Sequence, residues 1–387
     1  MIPRGFRPPI DSSVQDVRVT TSDGPTRRNP AGTGGIVTRG QLSGLSGLGG
    51  HCAEPVTPAR APRSRKEPAR LTAARTVTPV RSASRTYRPA APISVHHILS
   101  GLRRGGSDPC FRTQPGDPIW RATRTPDGPA FLRLVVRTTS GEVEATAWGA
   151  GAQWVLDGVP ELLGEGDDAS GFVPRPEHTK LVQAWRSRPG YRVPRSRAVF
   201  EALVPAALEQ RVTGLEARRA WRILVVKFGE PAPGPAPEAA GMYVPPDAAT
   251  WRQIPSWVWL KAGVDEARRR AVLAAAQVAG RLEETVGLPH DEAARRLRTV
   301  PGIGIWTAAE VRQRAHGDPD AFSWADYHVS RNVSWALTGT VMDDAGCAEV
   351  IECYRGQRYR VQKLLELDAV TRPRRAPRMT LPTHLPR

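Results

Sequence analysis

The five residues Val300-Pro301-Gly302-Ile303-Gly304 constrain this chain more than any other stretch, because helical periodicity runs up to them on both sides. Before them Ala293, Ala294 and Leu297 recur at helical spacing; after them Ile305, Ala308, Ala309, Val311 and Ala315 give a second apolar face. Two helices joined by so short a turn must fold back on each other. Pro301 presets φ, while Gly302 and Gly304 permit φ > 0 and leave no Cβ between the backbone and a neighbour. The helix that opens next presents unpaired N–H groups and the positive end of its dipole, which suits a phosphate. For a Gly-x-Gly taken alone, a plain connector between packed helices is the competing reading.

The turn, together with Trp306-Thr307-Ala308 behind it, resembles the hairpin of the helix-hairpin-helix DNA glycosylases. Gly317-Asp318-Pro319-Asp320-Ala321 and Asp326-Tyr327-His328 resemble the 3-methyladenine DNA glycosylase II branch, and the similarity runs with gaps from about Gly105 to Leu367. The resemblance implies that Asp326, lying beyond the second helix, is the catalytic carboxylate. It implies a DNA-anchoring set of Val300, Gly302, Ile303, Gly304 and Thr307. Gln210 and Arg211, at a junction of two helices, map onto the residues that enter the gap left by an extruded nucleotide. Arg211 departs from the apolar wedge usual in that branch; an ordinary solvated helix end is its alternative. Trp306 and Tyr327 are the pocket aromatics nearest by motif position. Of Trp251, Trp257 and Trp259, which share one stretch, Trp257 joins them as a third candidate, although core packing is the commoner fate of such residues. The implied partner is double-stranded DNA containing damaged bases, bound by a monomer without cofactor or metal.

The chemistry fits these residue types. Cleaving a purine N-glycosidic bond builds positive charge on the sugar, and a fixed carboxylate stabilises it where it develops. An Asp beside a helix start is also a common N-cap; Asp318 and Asp320, in a Gly-Asp-Pro-Asp turn, fit capping better than Asp326 does. Bifunctional glycosylases carry a Lys two residues beyond the hairpin's second Gly, where it forms a Schiff base with the sugar. Here Trp306 holds that position, and the nearest lysines are Lys261 and Lys363. The expectation is a monofunctional enzyme that excises alkylated purines. These are cationic, leave readily and suit an aromatic pocket. A DNA-binding module without chemistry, and a glycosylase for another damaged base, remain the alternatives.

Charge is unevenly placed. Of the net +17 over 387 residues, residues 1–90 carry +10 and residues 371–387 carry +5, leaving +2 for the body between. Any basic face on that body must be balanced by an acidic one. Only five of the 55 basic residues are Lys, a bias expected of a GC-rich bacterial genome, so net charge is weak evidence for nucleic acid. Cys52, Cys110, Cys347 and Cys353 have neither zinc nor iron–sulfur spacing. Without a transmembrane run or a signal-peptide pattern, a cytoplasmic, nucleoid-associated protein that meets no membrane is expected.

The expected class is α+β: a small antiparallel sheet domain before an all-helical domain, flanked by basic tails. Residues 1–90, rich in Pro, Gly, Ser and Arg, lack a core-forming pattern and read as disordered. Strands are predicted over 119–125, 131–137 and 142–148 and helices over 150–157 and 179–186, within a domain at 91–195. Residues 196–370 read as the helical domain with the hairpin at 300–304, its helices spanning 196–212, 215–228, one long stretch at 264–286, and 291–298. Residues 230–241 read as loop. Arg268, Arg269, Arg270 and Arg281 are expected on a solvated face. The arginines of Tyr354-Arg355-Gly356-Gln357-Arg358-Tyr359-Arg360 reach phosphates or cap the last helix. A basic, Pro-rich tail closes the chain from 371.

Overall fold

Alternation along the strand-forming stretches sorts their side chains onto two faces, and in the computed structural model five strands use it. These are β1 (Ser82–Tyr87), β2 (Phe111–Arg112), β3 (Ile119–Thr125), β4 (Gly128–Val136) and β5 (Val143–Trp148). They form one antiparallel sheet in the order β1-β5-β4-β3-β2. Residues 82–373 are described, apart from 115 and 138; the expectations for residues 1–81, Cys52 included, and for residues beyond 373 lie outside them. β3 and β4 join through Pro126 and Asp127, the Thr125 hydroxyl donating to Gly128 O at 2.8 Å.

β1 corrects the expectation that order begins after residue 90. Its six residues pair along the whole of β5, from Ser82 opposite Trp148 to Tyr87 opposite Val143, and Tyr87 is buried. A local pattern does not announce this strand, because its stability comes from a partner about 60 residues away.

One sheet face, with Leu132, Leu134, Val143 and Ala145, packs against Val155 and Leu156 of the helix Ala152–Asp157. The same core takes in Val333, Leu337, Cys347, Ile351, Val361 and Leu364, so the C-terminal helices close over the sheet. The other face stacks Trp120 on Phe131 at 5.1 Å and is covered by Ala232, Met242 and Val244, from the Pro-rich segment and the short strand after it. A second core surrounds the helix Val199–Leu208, whose Leu203, Val204, Ala207 and Leu208 meet Trp221, Trp251, Trp259, Val272, Ile303 and Val311.

Glu201 joins the two cores. Its carboxylate accepts from the buried Arg121 at 2.7 Å, from the Thr123 hydroxyl at 2.6 Å and from Arg124 N at 3.0 Å. The single helix expected over 264–286 is instead broken at Val278 into Glu266–Gln277 and Ala279–Glu283. The break brings Glu283 to the start of Val199–Leu208, where it accepts from Val199 N and Phe200 N at 2.8 Å each. Burial holds the Glu283 carboxyl above its ordinary range. Arg268 is not on a solvated face. It is 4% exposed, donating to Leu208 O at 3.0 Å and to Asp265, and so it caps the end of Val199–Leu208. Among the described residues no helix is long and apolar enough to cross a membrane.

The sheet edge yields a stability test. A chain starting at Ile93 lacks β1 and should lose about 2 kcal/mol or more relative to one starting at Ser82, the order of burying one Tyr with its ladder partners. Denaturant titration of the two truncations measures the difference, and equal midpoints would show that β1 contributes nothing.

Candidate active site

The hairpin is built from the helix His290–Leu297, the turn, and the helix Ile305–Val311, which widens into a π turn over residues 312–316. Gly302 has φ +84°, and a Cβ there would come 2.8 Å from the Ala271 Cβ. Both the backbone and the neighbouring helix therefore require glycine. Gly304 differs from the sequence expectation: its φ is −88°, and a Cβ would meet nothing within 4 Å. Among the described residues nothing demands glycine at 304; its absent side chain leaves bare backbone at a helix start that has no side-chain cap.

Val300 and Ile303 are buried in the helical core, so it is backbone that they offer outward. Ile303 N–H is already spent on Val300 O at 3.0 Å. The first intrahelical bond runs from Ala308 N–H to Gly304 O, which places the N–H groups of Ile305, Trp306 and Thr307 ahead of the ladder.

Gln210 braces this turn. Its Nε2 donates to Gly302 O and to the Thr307 hydroxyl, both at 2.9 Å. Both amide hydrogens thus serve the hairpin. Thr307, 2% exposed, is spent in the same contact. Arg211 is exposed at φ +56°, a left-handed conformation that a residue with a Cβ rarely holds, at the tip between Val199–Leu208 and Gly214–Phe228. Thr213 with Glu216 forms a capping box that starts the second of these helices.

Asp326 lies beside the hairpin's second helix. Its Oδ2 accepts from Trp306 Nε1 at 3.1 Å, and its Oδ1 from His328 N at 2.7 Å and Val329 N at 3.0 Å. The side chain therefore also caps the start of the helix Val329–Thr338, so capping and proximity to the hairpin coincide in one residue. After three bonds Oδ2 retains an acceptor direction. Beneath the site lies a buried polar set: Glu310 accepts from Arg314 and from the Ser323 hydroxyl at 2.7 Å each, and Gln313 donates to Ser323 Oγ at 2.8 Å. Burial alone would raise the Glu310 carboxyl; Arg314 and Ser323 outweigh it and hold it below its ordinary range.

The pocket aromatics do not all converge. Trp306 is bonded to Asp326. Tyr327 is 69% exposed, with the Arg331 guanidinium 4.9 Å from its ring centroid. Trp257 is 53% exposed and flanked by the Lys227 and Lys261 ammonium groups at 5.3 and 5.0 Å. Among the described residues no hydrogen bond or ring contact joins Trp257 to Trp306, Tyr327 or Asp326. Trp251 and Trp259 are core, 1% and 0% exposed.

The other candidates of the sequence are committed elsewhere. Asp318 accepts from Arg312 at 2.6 Å, and Asp320 from Arg358 at 2.8 Å. Arg355 pairs locally with Glu352, and the fully buried Arg360 pairs with Asp167, tying the last helix to the loop that follows the helix Val159–Leu162. Sequence reasoning missed the helix Asp344–Ile351 and its Asp344, which contacts the Asp326 loop. The one signal was Asp343, which caps that helix by accepting from Gly346 N at 3.0 Å.

A small antiparallel sheet ahead of a helical body that carries a hairpin matches the fold of helix-hairpin-helix DNA glycosylases. Among solved structures the chain is similar to a 3-methyladenine DNA glycosylase from Archaeoglobus fulgidus, with a TM-score of 0.61 at 18% identity over 73% of this chain and 98% of that one. It is similar also to an 8-oxoguanine glycosylase/lyase from Clostridium acetobutylicum, crystallised with DNA containing cytosine opposite 8-oxoguanine; there the TM-score is 0.56 at 12% identity over 75% and 97% of the chains. At such identities the likeness is one of fold. No protein-family model matches the chain, and no curated protein does.

The two glycines make opposite predictions. Gly302→Ala should destabilise by about 2 kcal/mol, from a left-handed φ and a contact too close for Cβ. Gly304→Ala should stay within about 0.5 kcal/mol of the wild type. Equal thermal shifts in the two variants would contradict the assigned roles.

His316, in the π turn, makes a further one. Buried against Thr285, it is pushed down to about 4, largely by desolvation, from the ordinary 6.5. Between those values the unfolded chain binds a proton that the folded chain refuses. Stability contributed by neutral His316 is therefore complete above pH 6.5 and is lost as pH falls toward 4, by an amount on the order of 3 kcal/mol. Denaturant midpoints across that window should fall less steeply in His316→Gln; an unchanged slope would remove His316 as the cause.

Proposed function

We propose that this chain is a monofunctional DNA glycosylase that excises alkylated purines of the 3-methyladenine type from double-stranded DNA, acting as a monomer at the bacterial nucleoid. The observation that carries the reading is Asp326, held by Trp306 Nε1 and two backbone N–H groups beside the hairpin. A carboxylate so fixed cannot turn away as positive charge develops on the sugar, and it needs little reorganisation to stabilise that charge. Its Oδ2 retains an acceptor direction for the sugar or for the attacking water.

The remaining parts take consistent roles. Gly304 and the N–H groups after it receive a backbone phosphate, an anchor indifferent to sequence. Arg211, exposed at a tip beside the hairpin, is the residue that enters the duplex as a base leaves it. Gln210 acts behind it by stiffening the turn. Trp306 forms one pocket wall and occupies the position at which a lyase carries its amine. The sheet region and the helical region are proposed as the two domains, divided near residue 195.

A second reading, a glycosylase for a neutral damaged base, draws on Tyr327, one face of which is already faced by the Arg331 cation. A positive base gains less from such a ring.

Base release separates these readings. The full chain should liberate 3-methyladenine from alkylated duplex, seen by chromatography, and leave the strand intact until alkali is added. Borohydride should trap no adduct. Asp326→Asn should release no base while binding abasic-site DNA within about tenfold of the wild type, ~1.4 kcal/mol. Full activity in Asp326→Asn would sink the mechanism. A trapped adduct would overturn the monofunctional reading, and release of 8-oxoguanine alone would select the neutral-base reading.

A further inference from the structure

We infer that Asp344 is a positioning residue for the Asp326 carboxylate, acting through the backbone of Ala325; the inference rests on the reading of Asp326 as catalytic. The segment that carries Asp326 has one deeply fixed end. Ser323, fully buried, donates from its backbone N to Gln362 at 3.0 Å and from its hydroxyl to Glu310 at 2.7 Å. Two residues later Ala325 stands at φ +64°, in the left-handed region that side chains with a Cβ avoid. Nothing in the Ala325 side chain repays that conformation. Its N–H does: it donates to Asp344 Oδ2 at 2.8 Å.

The other oxygen of the same carboxylate, Oδ1, accepts from the Ser330 hydroxyl in the first turn of Val329–Thr338. That helix start also supplies the two N–H groups, from His328 and Val329, that hold Asp326 Oδ1. Asp344 therefore ties together the residue before Asp326 and the helix that receives its side chain. It stands on a different element, the first turn of Asp344–Ile351, which is anchored in the sheet-side core through Cys347 and Ile351. The loop's direction is thereby referred to the sheet-side core as well as to the hairpin.

Without Asp344 the left-handed Ala325 loses its compensating bond and relaxes toward ordinary φ. That rotation swings the Asp326 Cα and lengthens the Trp306 contact. The binding surface at the hairpin, seated in the other core, is untouched. The effect therefore falls on the chemical step and leaves binding alone.

The test measures single-turnover base release from alkylated duplex by the full chain, alongside affinity for abasic-site DNA and thermal melting. Asp344→Ala should slow release about tenfold to a hundredfold, the range expected for a displaced reacting group, with affinity within about twofold. Ala325→Gly, which removes the cost of the left-handed conformation, should restore much of that rate in the Asp344→Ala background. A purely structural role predicts no such rescue, because Ala325→Gly adds no contact. If Asp344→Ala does not fold, the isosteric Asp344→Asn carries the same comparison with and without Ala325→Gly. Wild-type release by the Asp344 variant, or failure of Ala325→Gly to raise the rate, overturns the inference while leaving Asp326 in place. Wild-type release by Asp326→Asn overturns the underlying reading instead, so the two failures are distinct.

Discussion

The hairpin turn meets the helix Glu266–Gln277 with Gly302 laid against Ala271, so close that an added Cβ would stand 2.8 Å from the alanine methyl. Gln210 completes the seat from a third element by donating to Gly302 O and the Thr307 hydroxyl. These contacts set the direction in which Ile305–Val311 leaves the turn. That direction places the Trp306 indole, and its N–H meets Asp326. A shift of the turn by a fraction of an ångström would be felt at the carboxylate, because close-packed interiors transmit displacement.

Asp326 sits where the chain passes between the two hydrophobic cores. Val311 and Ala315 belong to the helical core, while Phe322 and Val333 belong to the sheet-side core. The crossing carries polar residues, most of them paired: Asp318 with Arg312, Asp320 with Arg358, Glu310 with Arg314 and Ser323. Isolated charges at such depth would be costly, and pairing offsets that cost without adding much net stability. Their physical consequence here is definition. Each pair allows few alternative geometries for the segment that ends at Asp326.

The same logic extends to the charged residues that the sequence left free. Arg268, Arg358 and Arg360 carry formal charge that a count of basic residues would assign to a DNA-facing surface. In the structure Arg268 caps a helix, Arg358 and Arg360 tie the last helix to the loops that carry Asp320 and Asp167, and Arg360 is fully buried. Of the cations near the site, Arg211 is exposed at the loop tip, Arg298 is exposed just before the hairpin turn, and the half-buried Arg331 lies over Tyr327.

Local chemistry made much of this legible from residues alone. The strands β3 and β5, the helices on either side of the hairpin, and the conformational demand on Gly302 follow from alternation, helical spacing and turn residues, which are properties of neighbours in sequence. The resemblance carried by Asp326 and the turn marked the candidate site. What required the tertiary structure is whatever depends on a partner distant in the chain. β1 exists because β5 accepts it, and the helix over 264–286 breaks where Glu283 reaches another helix's N–H groups. Gln210 turns to the hairpin because Gly302 O is within reach, and Trp257 stands apart from Trp306 although spacing could not separate them. A side chain's type is written in the sequence, but its partner is chosen by packing: local backbone N–H groups hold Asp326 Oδ1, and only the tertiary fold brings Trp306 Nε1 to Oδ2.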